Sequence, residues 1–576
     1  RMFDIARRVL ARPEARKFLR EAFKEDLTLT EEQQKEFGLP EKVKELSESQ
    51  FVLLLQHNPK HWKLIEKYLD SAETEDEKKK PSEEKREEHR RLFRELLADE
   101  RIVEVFRKFN DPLTPLRLDT GDGTPGYRDA RVFANHQTIA DGQTKPAEDL
   151  KQVLVDFVAG AQDELMFNVF DFDLMDVADA LVAAAKRGVK ITGGIDKNVV
   201  AERPGVKAVF AQLNGTKGIT MRAVDPVGLN HQKIVVRDFN DPKKAASLFS
   251  SGNFTQSCLG PEGDLKDVPA DKRPKDSVPN ANHILVVGGL LPAQVAANSL
   301  IKTLEYGLRG DEYPLGGAYR VLGDKKTGDK EAPWLILSFS PKAGLGDANR
   351  DMTRRLILST RGPLRLLQFA FSAESVREAI VERAKLEKAD GNALDLKSVG
   401  DAPFAVRPWS VFLALAGYEL KEEGEAKEYV EAATNALKAV LGAKAYAALR
   451  ENIRVASRTY RDHHYKPDAD TPSIDYGAKL HHKVLISGLF AVLGTSFNFS
   501  EAANSNQEQY IVTSDAALVA AMNTVFDGFF ALTNISLVDE VLRRNGFLKG
   551  DGEDDLKVGG QYEHVDEEAG RSRRKK

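Results

Sequence analysis

Two short stretches decide the fold of this chain: NHQKIVVRD at residues 230–238 and LHHKVLISG at residues 480–488. Each places a His and a Lys two residues apart at the start of an apolar run. Residues i and i+2 of a strand face the same side, so each pair is predicted to point into one pocket. Two such strands side by side would supply two imidazoles and two ammonium groups, which together suit attack on an anionic phosphodiester.

Further residues repeat downstream of both stretches. A Ser-x-Asn group follows each one, at residues 251–253 and 496–498. An Asn-rich segment then precedes a later apolar run, as NANH at residues 280–283 and NQEQ at residues 506–509. The copies differ at the last residue of each stretch, which is Asp238 in the first copy and Gly488 in the second.

The two-copy pattern resembles the phospholipase D superfamily, whose members carry the motif His-x-Lys-x4-Asp twice. The resemblance implies an α/β fold of two similar halves packed as a pseudo-dimer, and a two-step mechanism through a phosphohistidine that needs no metal or cofactor. It implies these site residues: catalytic His231, His481, Lys233 and Lys483; phosphate-binding Asn253 and Asn498; and supporting Asp238, Ser251, Ser496, Asn282 and Glu508. The motif Asp is a structural partner in this family, so Gly488 weakens the match without removing the chemistry. A degenerate, inactive second half is the alternative.

The roles of the two imidazoles follow less directly. By the family's preference for the first motif, we expect His231 to be the nucleophile and His481 the general acid and base. Glu508 would hold one imidazole charged, which suits an acid, and Asn282 would offer the other a neutral partner, which suits a nucleophile. This reasoning assumes pairing within each half, and crossed pairing would reverse it. His482 is predicted to face away from the site and to be structural.

The repetition extends upstream and predicts the domain organisation. An apolar strand followed by an alanine-rich amphipathic helix occurs near residues 165–186 and again near 364–385, which indicates βα units and a mostly parallel sheet. The predicted divisions are a charged helical N-terminal region (1–130), a first half (131–310), a linker with surface loops (311–346), a second half (347–548) and a polar tail (549–576).

Composition narrows the class of protein. The 576 residues are 41% hydrophobic and 30% charged, as expected of a folded multidomain chain. A single cysteine, Cys258, excludes an intrachain disulfide and favours a cytoplasmic location without settling it. No membrane-spanning run or signal-like segment stands out, and we expect a monomer. The net charge of −5 disfavours a dedicated duplex-DNA binder.

Three functions remain open on the sequence. The first is hydrolysis of a phospholipid at its headgroup, with exchange of headgroups for alcohols and peripheral contact with a membrane. The second is a nuclease of the same superfamily, because residues 496–509 resemble that branch equally well. The third is a non-catalytic scaffold whose charged N-terminal helices bind a protein partner.

Overall fold

A computed structural model describes residues 116–118, 120, 124–260, 279–304, 318–326, 331–340, 348–405, 407, 409–417, 425–456, 479–500 and 502–531. Most of the predicted N-terminal region and all of the predicted tail lie outside these residues. Among the helices of the described part, none is both long enough and apolar enough to cross a membrane.

Eighteen strands are present in the described part of the chain. They are β1 (Leu116–Leu118), β2 (Arg128–Ala134), β3 (Thr138–Ala140), β4 (Gln143–Lys145), β5 (Glu164–Val169), β6 (Lys190–Asp196), β7 (Ile219–Val224), β8 (Lys233–Arg237), β9 (Ala246–Ser250), β10 (His283–Gly288), β11 (Ala318–Leu322), β12 (Trp334–Ser340), β13 (Leu364–Gln368), β14 (Leu396–Asp401), β15 (Ile453–Ala456), β16 (Lys483–Ser487), β17 (Phe490–Leu493) and β18 (Glu508–Thr513).

The described helices alternate with these strands. They are α1 (Leu150–Ala159), α2 (Met175–Lys186), α3 (Lys197–Glu202), α4 (Pro204–Asn214), α5 (Gln256–Leu259), α6 (Leu290–Leu304), α7 (Ala348–Ser359), α8 (Glu374–Ala389), α9 (Ala402–Ala405), α10 (Val411–Ala416), α11 (Glu425–Leu441), α12 (Ala443–Arg450) and α13 (Ala516–Phe530), with a 3-10 turn at Ala502–Asn504.

Two large mixed sheets of seven and nine strands form the scaffold, and seven strands of each follow the same order. The first sheet runs β2-β10-β9-β8-β5-β6-β7, and the second runs β1-β11-β12-β18-β17-β16-β13-β14-β15. In both, the strand that begins with the motif Lys is antiparallel to the strand of the βα unit, β8 to β5 and β16 to β13. The predicted α/β fold with two similar halves is therefore confirmed.

The prediction of a mostly parallel sheet is wrong, because only β5-β6-β7, β13-β14-β15 and β1-β11 pair in parallel and the other neighbouring strands of the two sheets are antiparallel. The βα units visible in the sequence supply only the parallel edge of each sheet.

Successive side chains of a strand point into two different cores, one on each face of the sheet. Because both faces are buried, the strands are apolar along almost their whole length. On β8, Ile234 and Val236 pack into a core that both halves share, whereas Val235 packs into a core of the first half. The shared core also contains residues of α6 and α13, such as Leu300 and Phe526. The two sheets thus face each other across these two helices, and the remaining long helices cover the outer faces.

The predicted linker at 311–346 is wrong in its central part, because β11 and β12 are strands of the second sheet. β1, predicted to lie in the N-terminal helical region, pairs in parallel with β11. The reason is the burial of alternate residues in the shared core, among them Val321, Leu335 and Leu337. Neighbouring Gly, Pro and Lys residues hide this short alternation in the sequence.

Candidate active site

The two His-Lys pairs lie at the same place in the two sheets. Each Lys is the first residue of its strand, β8 or β16, and each His lies two residues earlier. Because β8 is antiparallel to β5, its start lies beside the end of β5, and β16 begins beside the end of β13 in the same way. All four side chains are buried, with His231 only 2% and His481 only 3% exposed.

His231 is held by a carboxylate from the other half. Its Nδ1 lies 2.8 and 2.9 Å from the two carboxylate oxygens of Glu508, which is the first residue of β18. Asn506 donates a further hydrogen bond to the same carboxylate over 3.1 Å. With the Nδ1 proton directed at Glu508, the Nε2 lone pair of a neutral ring is left available for chemistry.

His481 is held by an amide, which also comes from the other half. Its Nδ1 lies 3.0 Å from Asn282 Oδ1. Asn282 Nδ2 donates to the carbonyl oxygens of Cys258 and Asn280, both at 3.1 Å, and this fixes which end of the amide faces the ring. His481 therefore donates from Nδ1, and its Nε2 lies 3.1 Å from Lys483 Nζ.

The pairing is thus crossed between the halves, and it reverses the reasoning from the sequence. Within-half pairing would have given Asn282 to His231 and Glu508 to His481. Instead the ring expected to act as nucleophile has the charged partner, and the ring expected to act as acid has the neutral partner. An assignment of roles has to rest on a different argument.

The two lysines bring positive charge to both rings. Lys233 Nζ donates to the carbonyl of His231 over 2.6 Å, and Lys483 Nζ donates to that of His481 over 2.9 Å. Lys483 Nζ also lies 3.1 and 3.2 Å from the two nitrogens of the His481 ring. An ammonium group nearly equidistant from both nitrogens opposes a positive charge on that ring.

Charges of both halves act on both rings. Burial lowers the pKa of His231, the Glu508 carboxylate opposes this shift, and Lys233 and Lys483 reinforce it. Burial, followed by the charges of Lys483 and Lys233, lowers the pKa of His481 well below its usual value. The two motifs therefore form one electrostatic unit in which the two rings differ.

The predicted phosphate ligands and serines have separate environments. Asn253 Oδ1 and Asn498 Oδ1 are buried and make no hydrogen bond with any described residue, so both amides have capacity to bind a ligand. Ser251 Oγ donates to Asn282 Oδ1 over 2.9 Å. Ser496 Oγ accepts the backbone N–H of Gln509 over 3.0 Å. The serines thus orient the segments that hold the imidazoles.

Asp238 lies at the far end of β8 from His231 and supports the scaffold. Its carboxylate accepts backbone N–H groups of residues 162–164, the shortest from Asp163 at 2.8 Å. Asp238 adopts a left-handed conformation, φ +49°, and Gly488 adopts φ +57° at the end of β16. Gly488 therefore replaces Asp238 at a position whose backbone favours glycine.

Two further acidic residues support the site, and sequence reasoning missed them. Asp196 accepts the backbone N–H of Asn230 over 3.0 Å, and Asp401 accepts that of Leu480 over 2.8 Å. Each ends a strand of the βα repeat and holds the residue just before the His of a motif. An Asp at the end of the second apolar strand in both halves was the available signal.

The motif segments also bind one another across the halves. Leu229 donates its N–H to Asn506 Oδ1 over 2.9 Å, and Lys479 donates its N–H to Asn280 Oδ1 over 2.7 Å. The Asn-rich segments at 280–283 and 506–509 each hold the stretch that precedes the His of the other half. Neither half completes its own imidazole site.

An aromatic path, formed by Phe369, Phe404 and Trp409, leads from His481 toward the surface. The ring centroids are 4.7 Å apart for His481 and Phe369, 4.3 Å for Phe369 and Phe404, and 6.2 Å for Phe404 and Trp409. Trp409 is 42% exposed. In the first half, Phe170 lies 5.9 Å from His231 but belongs to the core of that half. The aromatic residues on the two sides of the site therefore differ in exposure, since Phe170 is buried whereas the path from His481 ends at the exposed Trp409.

No group of three or more His, Cys, Asp or Glu side chains in the described part of the chain could hold a metal ion. The residues brought together are two imidazoles, two lysines, one carboxylate and several amides. Such a set can form a covalent bond to phosphorus, neutralise its oxygens and move a proton.

Comparisons with known proteins give a match to part of the first half. Residues 154–265 match the family model described as cardiolipin synthase, PLD-like domain. This stretch contains the first His-Lys motif and is similar to a PLD-like domain. No curated protein sequence matches the chain.

Solved structures similar to this chain include three bacterial proteins. Phosphatidylserine synthase of Haemophilus influenzae Rd KW20 is 11% identical over 74% of this chain and 96% of its own, with a TM-score of 0.45. Nuc of Salmonella typhimurium, a phospholipase D family member, is 18% identical over 30% of this chain and 92% of its own, with a TM-score of 0.22. NucT of Helicobacter pylori is 14% identical over 31% and 98%, with a TM-score of 0.23.

Proposed function

We propose that this protein is a phosphodiesterase of phospholipase D type, which releases the headgroup of a phospholipid through a covalent phosphohistidine. The observation that carries the proposal is the crossed arrangement of His231 on Glu508 and His481 on Asn282. It supplies two buried imidazoles whose Nε2 atoms differ in their electrostatic surroundings. A two-step displacement needs such a difference, because one ring must gain positive charge while the other loses it.

His231 is the nucleophile in this proposal. Its Nε2 attacks phosphorus, a nitrogen–phosphorus bond forms, and the bond from phosphorus to the headgroup oxygen breaks. The ring becomes positively charged as it is phosphorylated. Glu508, hydrogen-bonded to Nδ1, stabilises that developing charge, whereas the His481 ring contacts the neutral amide of Asn282 and the ammonium group of Lys483.

His481 is the general acid and then the general base. It gives its Nε2 proton to the departing oxygen and loses its positive charge, a change that Lys483 and Lys233 favour. The anionic phosphodiester, on binding, offsets the lysine charges and allows the ring to be protonated beforehand. In the second step neutral His481 takes a proton from water or an alcohol, which attacks phosphorus and breaks the bond to His231.

The remaining residues bind and orient the phosphate. Lys233 and Lys483 neutralise its oxygens, and the amides of Asn253 and Asn498 bind it by hydrogen bonds. Asp196 and Asp401 position the two histidines through the preceding backbone amides. This division of roles requires no metal ion and no cofactor.

A phospholipid is the favoured substrate for two reasons. The matching family model is described by a cardiolipin synthase, and the net charge of −5 does not favour a polyanionic duplex. The leaving group would depart on the His481 side, next to the aromatic path. A nuclease is the second candidate, because exposed Trp409 at the end of that path could stack on a base of single-stranded nucleic acid.

The test uses the full chain with phosphatidylcholine vesicles and, separately, with single-stranded DNA, both in chelator. Release of choline supports the lipid enzyme, and cleavage of DNA supports the nuclease. If neither substrate is cleaved, a scaffold function is favoured instead. These assays identify the class of substrate whichever histidine is the nucleophile.

The roles are tested with bis(p-nitrophenyl) phosphate, whose leaving group needs little protonation. We expect His231→Ala to abolish both turnover and the phosphoenzyme. His481→Ala should still form the phosphoenzyme but lose about 10²–10⁴-fold in its hydrolysis, so the intermediate accumulates on His231. Mass spectrometry locates the phosphoryl group. Phosphorus on His481 in the His231→Ala variant would show that the roles are the reverse.

A further inference from the structure

Three buried histidines form a hydrogen-bonded chain on the opposite side of the junction from the catalytic rings. His283 Nδ1 lies 2.8 Å from His482 Nδ1, and His482 Nε2 lies 2.8 Å from His136 Nε2. All three side chains are fully buried. His136 and His283 belong to the first half and His482 to the second, so this imidazole chain joins the halves.

The neighbours of the chain determine where its protons lie. The backbone N–H of Gly494 donates to His283 Nε2 over 2.8 Å, so the proton of a neutral His283 is on Nδ1. His482 must then accept at Nδ1 and donate from Nε2, and His136 must accept at Nε2. His136 Nδ1 donates in turn to the carbonyl of Gln137 over 2.9 Å. One set of tautomers satisfies these four hydrogen bonds, with all three rings neutral.

An additional proton disrupts this arrangement wherever it binds. On His136 it would place two N–H groups against each other at Nε2, and on His482 it would do the same at Nδ1. On His283 it would oppose the N–H of Gly494. The chain is therefore complete only while each ring is neutral.

The fold itself does not require imidazoles at these positions. The residues related to His283 and His482 by the repeat are Gln509 and Gln232, as the matching contacts of Ser251 and Ser496 show. Gln509 bonds to backbone groups of Lys233 and Ser250, and Gln232 accepts from Asn168. At each pair of equivalent positions of the repeat, the hydrogen bonds are thus made by an amide, which does not titrate, in one copy and by an imidazole in the other.

The imidazole chain is coupled to the site through adjacent residues. His283 follows Asn282 and His482 follows His481, so the members of each pair face opposite sides of the segment. Ala281 donates its N–H to Lys479 over 2.8 Å, and His481 donates its N–H to Ala281 over 3.0 Å. This backbone bridge is flanked by the catalytic pair on one side and by the imidazole chain on the other.

We propose that His283, His482 and His136 are positioning residues that clamp the bridge between the halves, hold Asn282 and His481 in register, and release them when a ring is protonated. Among the described residues, Ser251 after β9 accepts the N–H of His283, and the Phe529 ring of α13 packs on His136 and His482. Lys483 of β16 opposes an added positive charge on His283, and Asp401 of β14 accepts the N–H of Leu480, two residues before His482.

The pH dependence has a definite sign. Burial, with a contribution from Lys483, lowers the pKa of His283 to about 3. An imidazole that is neutral in the closed chain but titrates normally in an opened one favours opening as the pH falls. The equilibrium constant for closing the chain falls by up to about tenfold per ring for each pH unit below about 6.5, the ordinary pKa of histidine. Closure is thus fully favoured above that pH and weakens below it.

The test measures amide hydrogen exchange of peptides covering residues 279–284 and 479–484 in the full chain, as protection factors from pH 7.5 to 5. His136→Gln keeps an acceptor for His482 but cannot be protonated. We expect it to retain protection at pH 7.5, while the slope of log protection against pH falls by about one unit. The same slope in wild type and His136→Gln would overturn the proposal.

A second variant and a control separate clamping from folding. His136→Phe keeps the ring against Phe529 but leaves the His482 N–H without an acceptor, so protection at pH 7.5 should fall about tenfold. The kcat should fall similarly with KM unchanged, and His136→Gln should restore both. Gln137→Ala, which keeps the carbonyl that the chain uses, should match wild type. Unchanged protection in His136→Phe would contradict a clamp.

The tautomers give an independent readout. With ¹⁵N-labelled histidine, His136 and His283 should carry the proton on Nδ1 and His482 on Nε2, and any other pattern would overturn the proposal. The kinetic part of this inference rests on the proposed function. Exchange and tautomers need no turnover, so a chain that clamps as expected but cleaves no phosphodiester would refute only the proposed function.

Discussion

At the end of β8, the carboxylate of Asp238 accepts the N–H groups of the segment that leads into β5. At the end of β16, Gly488 has no side chain to do so, and Glu387 of α8 accepts the N–H of Gly362 over 3.1 Å instead. Gly362 matches Asp163, because Asp238 donates its N–H to Glu164 as Gly488 does to Pro363. The two halves therefore satisfy one backbone requirement with carboxylates from different elements.

In the second half, the Glu387 carboxylate also pairs with a buried arginine. Arg383 is fully buried, lies 2.7 Å from Glu387, and donates to the carbonyl of Ile357 over 2.6 Å. The difference teaches that the motif Asp belongs to the scaffold, since a half that lacks it keeps the His-Lys geometry. A divergent motif position is consequently weak evidence for lost chemistry.

The largest effect on stability that we expect within this comparison comes from Glu387→Gln. It leaves the guanidinium of Arg383 buried without its carboxylate, which should cost about 3–5 kcal/mol of unfolding free energy. Asp238→Asn keeps an oxygen for the same backbone groups and should cost about 1–2 kcal/mol. Equilibrium urea unfolding measures both, and equal losses would show that the two carboxylates are equivalent.

The next largest effect is on catalysis, and it comes from changing the residue that is hydrogen-bonded to each ring. Glu508→Gln removes the charge that stabilises a phosphorylated His231, and we expect kcat to fall about 10²-fold, or about 2.7 kcal/mol, with little change in KM. Asn282→Asp places a carboxylate on His481, raises its pKa, and should extend activity to higher pH by about one unit.

The pH profile of kcat for both variants checks this expectation. A carboxylate favours the protonated ring, so the limb that reports loss of the acid's proton should move upward in Asn282→Asp. A Glu508→Gln variant with normal kcat would contradict the role of His231, whatever the result for Asn282→Asp.

The smallest effect comes from the glycine itself. Gly488→Ala forces a side chain into φ +57° and places its Cβ 3.0 Å from the Arg361 carbonyl. Gly391 has φ +78° with no atom within 4 Å of such a Cβ, so Gly391→Ala isolates the conformational cost of about 1 kcal/mol. We expect Gly488→Ala to exceed this cost in thermal or urea unfolding. Equal costs would mean that the close contact relaxes freely.

The sequence was sufficient for the parts of the site that repeat locally. His231 with Lys233 and His481 with Lys483 are two residues apart, and strand geometry alone puts each pair on one face. The βα units were recognisable for the same reason, since β5 with α2 and β13 with α8 are continuous segments. Local periodicity is what a single sequence records best.

The remaining features depend on which distant segments pack together. His231 and Glu508 are 277 positions apart, and His481 and Asn282 are 199 apart, so no local pattern distinguishes crossed from uncrossed pairing. Similarly, β11 and β12 are strands because the shared core covers them, and the polar residues between them resemble a linker. His482 was predicted to be structural, but its contacts with His283 and His136 of the other half were not apparent from the sequence.

The crossed pairing means that the two halves have to be inherited together. Because each imidazole is completed by a side chain that lies some two hundred or more positions away, a single half passed on alone would carry a ring and a lysine without the group that orients them. A substitution of Glu508 or Asn282 should therefore impair the imidazole of the opposite half rather than that of its own. At the far ends of β8 and β16, where the described residues share no such contact, the halves carry different residues, Asp238 and Gly488.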